Sequence, residues 1–161
     1  MSEKLYPYVI FLPAKKKQNI LRAIFRSKVP IDILECFIDK GISQKIYQKN
    51  LVDSFSYSNK TVIERLKDLT SLGILREGME KTESDGRTVW VKHYILTDLG
   101  KWFALLLAKE DVLSREEKFE IVQSALRSYV KWLRELSEKL DVKKEVLEEI
   151  FREEMLSLIH I

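Results

Sequence analysis

The chain has 161 residues, of which 45% are hydrophobic and 33% charged, with five glycines and three prolines. This composition is typical of a folded, helix-rich chain of one domain with an extension, and it excludes the low-complexity and disordered classes. The chain has one cysteine, Cys36, which excludes an intrachain disulfide and a multi-thiolate metal site. A reducing, cytoplasmic compartment is the expectation, with no metal and no cofactor.

The charge is unevenly distributed along the chain. Residues 1–110 hold 19 Lys and Arg against 13 Asp and Glu, whereas residues 111–161 hold 9 against 12. A basic front indicates a polyanionic partner, although ordinary surface charge is the alternative. Few Asn and Gln beside many Lys and Glu favour a thermophilic source. No apolar run approaches the roughly 20 residues that span a bilayer, so no membrane association is expected.

Residues 1–17 are interpreted as an N-terminal arm, followed by a short amphipathic helix over 18–26. The next helix is predicted to begin at Pro30 and to end at Gly41, because proline suits a first helical turn and glycine suits the residue after the last. Ser43 is expected to cap another helix that carries Ile46 and Leu51.

The stretch SYSNKTVIERLKDLTSLGIL, residues 56–75, opens with small hydroxyl residues and continues as an amphipathic helix. After it, residues 74–81 and 87–96 have the composition of strands, and Asp85-Gly86 between them is a strong hairpin signal. Thr97-Asp98 is expected to cap a further helix. Trp90, in the second strand, and Trp102, in that helix, are interpreted as core residues.

The rear of the chain is predicted to be helical. Ser114 and Glu117 fit a capping box, in which each side chain accepts from a backbone amide at the other residue. Beyond them an apolar heptad seam extends over three heptads. It either packs on the chain's own last helix or pairs with a second copy, and a homodimer is favoured. The seam residues are Phe119, Val122, Leu126, Tyr129, Leu133, Leu136 and Leu140.

Helices, a hairpin and a further helix in this order resemble the winged helix-turn-helix transcriptional regulators of the MarR and ArsR type, archaeal ones in particular. The resemblance covers about residues 28–108. It implies a mainly α fold with a small β-hairpin wing, divided into the arm (1–17), a winged helix-turn-helix domain (18–110) and a C-terminal helical dimerisation region (111–161). The residues that carry it are Ser58-x-x-Thr61-Val62, Leu66, Leu69, Leu72-Gly73-Ile74-Leu75, Asp85-Gly86-Arg87 and Tyr94-x-Leu96-Thr97-x-x-Gly100.

The resemblance implies a homodimeric regulator that binds double-stranded DNA, more readily a repressor than an activator. Residues 58–72 would form the recognition helix in the major groove, and the wing over 81–88 would meet the minor groove. Glu64 does not fit this surface well, because DNA repels a carboxylate. It can accept from cytosine N4 or pair with Lys60, and a solvated helix charge is the alternative. The candidate DNA-binding residues are Tyr57, Ser58, Lys60, Thr61, Glu64, Arg65, Lys67, Lys81 and Arg87.

Two other interpretations stay open at the level of sequence. Acidic residues on the same surface, such as Glu64 and Asp85, favour a winged helix that binds a protein of the transcription or chromosome machinery. A pocket between the DNA-binding and dimerisation parts could hold a small apolar effector. An enzyme is disfavoured, because the sequence has no glycine-rich phosphate loop, no metal-ligand spacing and no nucleophile–base pair.

Overall fold

The computed structural model describes residues 26–109 and 111–159, with side chains described as far as residue 157. The predicted arm over 1–17, and the predicted helix over 18–26 apart from Arg26, lie outside the described residues. In the described part the elements are α1 (Val29–Lys40), β1 (Ile46–Tyr47), α2 (Gln48–Asp53), α3 (Asn59–Ser71), β2 (Leu75–Ser84), β3 (Arg87–Leu96), α4 (Asp98–Leu107), α5 (Arg115–Lys139) and α6 (Lys144–Ile159).

The three strands form an antiparallel sheet in the order β1-β3-β2. Strands β2 and β3 pair along their whole length, from Leu75 opposite Leu96 to Ser84 opposite Arg87. Asp85 and Gly86 close the hairpin with φ values of 52° and 73°. Positive φ at both turn positions is the type I′ geometry that Asp-Gly favours. The mainly helical chain with this small sheet is a winged helix-turn-helix, as the sequence predicted.

The core lies among α1, α3, α4 and the base of the hairpin. Helix α1 has Pro30 in its first turn and ends at Lys40, and Gly41 follows as the C-cap with a φ of 123° that suits glycine. Its inward side chains, including Phe37, pack with the apolar faces of α3 and α4. The side chains with no exposed surface are Ile33, Leu34, Phe37, Leu51, Val62, Leu66, Leu69, Ile74, Phe103 and Ala104.

Thr97 and Gly100 fix the joint between the hairpin and α4. The Thr97 hydroxyl accepts from the Gly100 amide at 3.0 Å and donates to the Gly73 carbonyl at 2.5 Å. A Cβ on Gly100 would lie 2.2 Å from the Ile74 carbonyl oxygen, so a side chain there would force the backbones apart. The predicted cap at Thr97 is therefore confirmed, and it also ties α4 to the start of β2.

The expectation for the segment after α1 is wrong. Ile46 belongs to strand β1, where it pairs with Tyr94, and the following helix starts only at Gln48 with Tyr47 as its N-cap residue. Ser43 precedes the strand and caps no helix. Ile46 fits a helical apolar spacing, but it pairs with Tyr94, 48 positions away, and so forms a strand. The local sequence carries no signal of this pairing.

The chain divides into two compact units within α5. The front unit comprises the described residues up to Ala125, and there α5 buries Ile121 and Ala125. In the rear unit, from Leu126 onward, the second part of α5 and α6 border an open groove of about 350 Å³. The division predicted after residue 110 stays a prediction. No helix in the described part of the chain is long and apolar enough to cross a membrane.

Candidate nucleic-acid interface

Helix α3 begins with a side-chain cap. The Ser58 hydroxyl accepts from the Thr61 amide at 3.1 Å and lies 2.8 Å from the Thr61 hydroxyl. Val62, Leu66 and Leu69 have no exposed surface, so they fix which face of the helix meets the core. The opposite face carries Lys60, Glu64, Lys67, Asp68 and Ser71, all exposed. The exposed side chains of α3 therefore lie on the face away from the core and begin next to the capped helix start.

Tyr57 occupies a different place from the other candidate residues. Its hydroxyl donates to Asp32 Oδ2 of α1 at 2.6 Å, and its ring is partly buried against the core and lies 5.8 Å from the Phe55 ring. The hydrogen bond to Asp32 raises the pKa of Tyr57 above its ordinary value. Tyr57 thus holds the start of α3 against α1, and its predicted DNA contact stays a prediction.

Two lysines on the outer face of α3 have no ion-pair or hydrogen-bond partner among the described residues. Lys60 and Lys67 are both exposed, and neither makes an ion pair or hydrogen bond with another described residue. Their ammonium groups are therefore free to bind an external anion without breaking an internal contact. This freedom distinguishes them from Arg65 on the same helix.

Arg65 and the acidic residues of α3 neutralise one another. Arg65 Nε lies 3.2 Å from Asp68 Oδ2, and an Arg65 terminal nitrogen lies 3.8 Å from Glu64 Oε2. The cation beside Glu64 is thus Arg65 rather than Lys60, the partner suggested by sequence. Because these side chains remain partly exposed, the pairs are weak and can rearrange. Even so, Arg65 offers less free positive charge than its position alone implies.

Lys81 and Arg87 are exposed on the wing, and neither has an ion-pair partner among the described residues. Arg87 follows the Asp85-Gly86 turn directly, so its side chain sits at the far end of the hairpin. Glu83 and Asp85 are exposed near it. The tip therefore offers one cation at each flank and two carboxylates between them.

A polar cluster braces the wing partway along its length. Glu80 accepts from Lys45 Nζ and from the Tyr47 hydroxyl, the latter at 2.8 Å, and these two bonds lower the pKa of Glu80. His93 Nδ1 lies 3.5 Å from the same carboxylate. A Cβ at Gly78 would fall 2.5 Å from His93 Nε2, so glycine leaves the space that the imidazole occupies. This cluster could not be predicted from the sequence, because its members are distant in sequence.

The seam residues of α5 differ in exposure. Phe119 is 67% exposed, and Val122 and Leu126 are also exposed, whereas Tyr129, Leu133 and Leu136 are half-buried. Leu140, at the end of the seam, is exposed. In the front unit, α5 packs through Ile121 and Ala125 instead, so Phe119 and Val122 keep their apolar surface in contact with solvent.

Trp90 lies in a different environment from the one that the sequence predicted. It was expected in the core, but it is 60% exposed on β3, and Met79 on β2 is 50% exposed. The strand pattern indicated the correct face of the hairpin, since Trp90 shares parity with buried Tyr94. It did not indicate that the hairpin extends beyond the core before Trp90 is reached. The length of both strands, ten residues each, was the available signal.

No protein-family model matches the chain, and no curated protein matches it. Among solved structures, the chain is similar to one named a possible transcriptional regulator from Methanosarcina mazei Go1, with 16% sequence identity and a TM-score of 0.40. The similarity covers 79% of this chain and 88% of that one.

Proposed function

We propose that the protein is a DNA-binding transcriptional regulator that acts as a homodimer on a pseudo-palindromic duplex. The observation that carries the proposal is a set of exposed cations without internal partners on the two elements that a winged helix presents to DNA. Lys60 and Lys67 lie on α3, and Lys81 and Arg87 lie on the wing. Exposed lysines and arginines that neutralise phosphates release counterions, which is the main source of DNA affinity.

In this proposal α3 enters the major groove with its N-terminal turn foremost. Lys60 can donate to guanine O6 and N7 or to a phosphate, and the hydroxyls of Ser58 and Thr61 can serve either. The amides at the helix start favour a nearby phosphate. Glu64 accepts from a cytosine amino group or turns toward Arg65, so its carboxylate does not oppose the backbone directly.

The wing supplies the second contact. Arg87 at the hairpin tip would enter the minor groove, where a narrow groove concentrates negative potential, and Lys81 would bind a phosphate. Exposed Glu83 and Asp85 lower the net charge of the tip. The minor-groove contact therefore depends on Arg87 reaching past them.

The dimer is proposed to form through the exposed apolar side chains of α5, together with those of α6. Phe119, Val122 and Leu126 are exposed on α5, and Ile150 and Phe151 on α6. Such a row of apolar side chains is typical of a partner surface. The 25 residues of α5 span about 37 Å at 1.5 Å per residue, comparable with the 34–36 Å between half-sites. By resemblance to MarR- and ArsR-type regulators, we also propose that the protein represses transcription by blocking the polymerase. A small apolar effector would control this repression.

Duplex selection followed by a salt series tests the proposal. Sequences that bind would be selected from a random duplex pool, and the dissociation constant would then be measured by fluorescence anisotropy at several salt concentrations. We expect affinity to fall steeply with salt and the selected sites to contain two related half-sites. Absence of duplex binding at low salt, or specific affinity that does not change with salt, would contradict the proposal.

A pair of matched variants tests whether Lys60 contacts a base or a phosphate. Lys60→Ala should weaken selected sites more than random duplex, since loss of a base contact relaxes specificity. Lys109→Ala, which removes an exposed lysine outside α3 and the wing, should leave that ratio unchanged. Equal losses on selected and random DNA for Lys60→Ala would make Lys60 a phosphate contact.

A protein-binding adaptor is the second candidate, favoured by the exposed carboxylates of Glu83 and Asp85 at the wing tip. It predicts no duplex binding at low salt and capture of a basic protein surface instead. The same anisotropy series therefore separates the two functions.

A further inference from the structure

An open, largely apolar cavity lies between the wing on one side and β1, α2 and α3 on the other. Its volume is about 420 Å³, and Trp90 and Met79 form its wing side while Ile63 and Asn59 form its α3 side. Trp90 and Met79 stay more exposed than large apolar side chains usually do. Packing within the described chain therefore does not account for either residue.

The strand register shows which way these two side chains face. Trp90 lies opposite Lys81, and Met79 lies opposite Lys92, so all four side chains share one face of the hairpin. Buried Tyr94 has the same parity in β3, which makes this the face that also meets the helical core at the base of the wing. Trp90 thus lies on the α3 side of the wing rather than on its outer side.

The polar groups at the cavity can form hydrogen bonds with a planar ring that carries donors and acceptors. Gln48 and Asn59 each carry an amide that donates and accepts. The Tyr94 hydroxyl donates to Gln48 Oε1 at 2.9 Å, and burial raises the pKa of Tyr94 to about 12, so this donor stays protonated. The Gln48 amide is therefore held in one orientation, with its NH₂ group available to a ligand.

Lysines border the cavity. Lys49 and Lys92 line it, with Asp53 the one carboxylate among the lining residues, and Lys92 Nζ lies 3.7 Å from Glu77 Oε2, so Lys49 is the lining cation without an ion-pair partner in the described part of the chain. Lys81 lies across the strand pair from Trp90 and has no ion-pair partner in the described part of the chain. An aromatic side chain bordered by lysines is the arrangement with which proteins bind unpaired nucleotides, because bases stack on the ring while cations meet the backbone.

A fully paired duplex cannot use this cavity. In a duplex the faces of each base are covered by its neighbours, and only the edges are open in the grooves. Stacking on Trp90 requires a base that has left the helix. If α3 occupies the major groove and the wing occupies the minor groove, one phosphate backbone passes between them, and a nucleotide extruded from that strand would point toward the cavity.

We propose that the cavity between α3 and the wing binds one unpaired nucleobase of a DNA strand, stacked on Trp90 and contacted by the amides of Gln48 and Asn59. This inference rests on the proposed DNA-binding function and deepens it. The protein would then prefer duplexes that contain an unpaired or easily extruded base over fully paired ones.

The test compares labelled DNAs that differ only in pairing. Dissociation constants would be measured by anisotropy for a fully paired duplex, for the same duplex with an internal run of unpaired thymines, and for the matching RNA. We expect the full-length protein to bind the thymine-containing duplex at least about fivefold more tightly than the paired one, which corresponds to stacking of one base. Trp90→Ala should abolish the preference, and Trp90→Phe should retain part of it.

Val89→Ala provides the matched control. Val89 is the neighbouring residue, is also exposed, and belongs to the opposite face of the hairpin, so its removal should leave the preference intact. A second measurement uses Trp102→Phe combined with Trp132→Phe, which leaves Trp90 as the sole tryptophan of the three. Unpaired thymines should quench its fluorescence, whereas paired duplex should not.

The possible outcomes distinguish the proposed nucleobase site from the proposed duplex binding on which it rests. Equal affinity for paired and unpaired DNA, or a preference that survives Trp90→Ala, overturns the inference and leaves duplex binding standing. Tighter binding of the RNA overturns the assignment to DNA. Binding of unpaired DNA without duplex binding supports the cavity and overturns the duplex regulator, and failure to bind any of the three overturns both.

Discussion

The front unit and the rear unit use the same kind of apolar helical pattern with different results. In the front unit, Phe37, Leu66 and Phe103 have no exposed surface. In the rear unit, Ile150 and Phe151 remain about half exposed on α6. Apolar periodicity therefore identifies the face of a helix that needs covering, but it does not identify what covers it. In the front unit the inward faces of α1, α3 and α4 cover one another, whereas we propose that the exposed apolar side chains of α5 and α6 are covered by a second copy.

The largest expected effect comes from truncating the core of the front unit. Leu66→Ala should lower the free energy of unfolding by about 2–5 kcal/mol, since it removes a fully buried side chain and leaves a cavity. Urea denaturation measures the change. Phe151→Ala in the rear unit removes a half-exposed side chain and should cost clearly less at protein concentrations too low for dimers. Equal losses would contradict the contrast between the units.

The next effect concerns association. Leu126→Asp should raise the dissociation constant of the dimer about 30-fold or more, because a carboxylate would be placed in an apolar interface. Sedimentation equilibrium measures it. Val112→Asp is the matched control, since Val112 is similarly exposed but lies in the segment before α5 rather than in the seam. A wild-type protein that stays monomeric at high concentration would remove the dimer from the proposal.

A smaller effect is expected at the start of α3. Ser58→Ala should destabilise the front unit by about 1 kcal/mol, because the Thr61 amide loses its side-chain acceptor. Ser58→Asp keeps an acceptor and should retain stability while weakening DNA binding through its negative charge. Thermal unfolding together with anisotropy separates the two variants. Full DNA binding by Ser58→Asp would place Ser58 away from the phosphates.

The smallest effect is a pH dependence at the brace of the wing. The hydrogen bonds from Lys45 and Tyr47 hold the pKa of Glu80 below its ordinary value of 4.5. The folded state therefore favours the carboxylate, and this contribution is present above pH 4.5 and is lost as pH falls below it. Glu80→Gln should flatten the decline of the unfolding midpoint between neutral and acidic pH. An unchanged slope would show that the brace adds nothing to stability.

Local signals in the sequence were enough to predict much of the fold. The hairpin followed from Asp85-Gly86, and the capping box is confirmed, since Ser114 and Glu117 each accept from the other's backbone amide at 3.0–3.1 Å. Strand β1 could not be predicted, because two residues carry no period and Ile46 acquires its conformation from Tyr94. The ion-pair partners of individual side chains also could not be predicted from the sequence. Spacing allowed Glu64 to meet Lys60, but the structure pairs it with Arg65.

The wing can be regarded as a lever with its support partway along. Its ten-residue strands extend about 33 Å, and the bonds to Glu80 hold them at the sixth residue of β2. The arm beyond that support runs from Lys81 to Ser84, about 13 Å, so a tilt of 10° at the support moves the tip by about 2 Å. Substitutions at Lys45 or Tyr47 would lengthen the free arm. They would therefore change the reach of Arg87 without altering any residue at the tip.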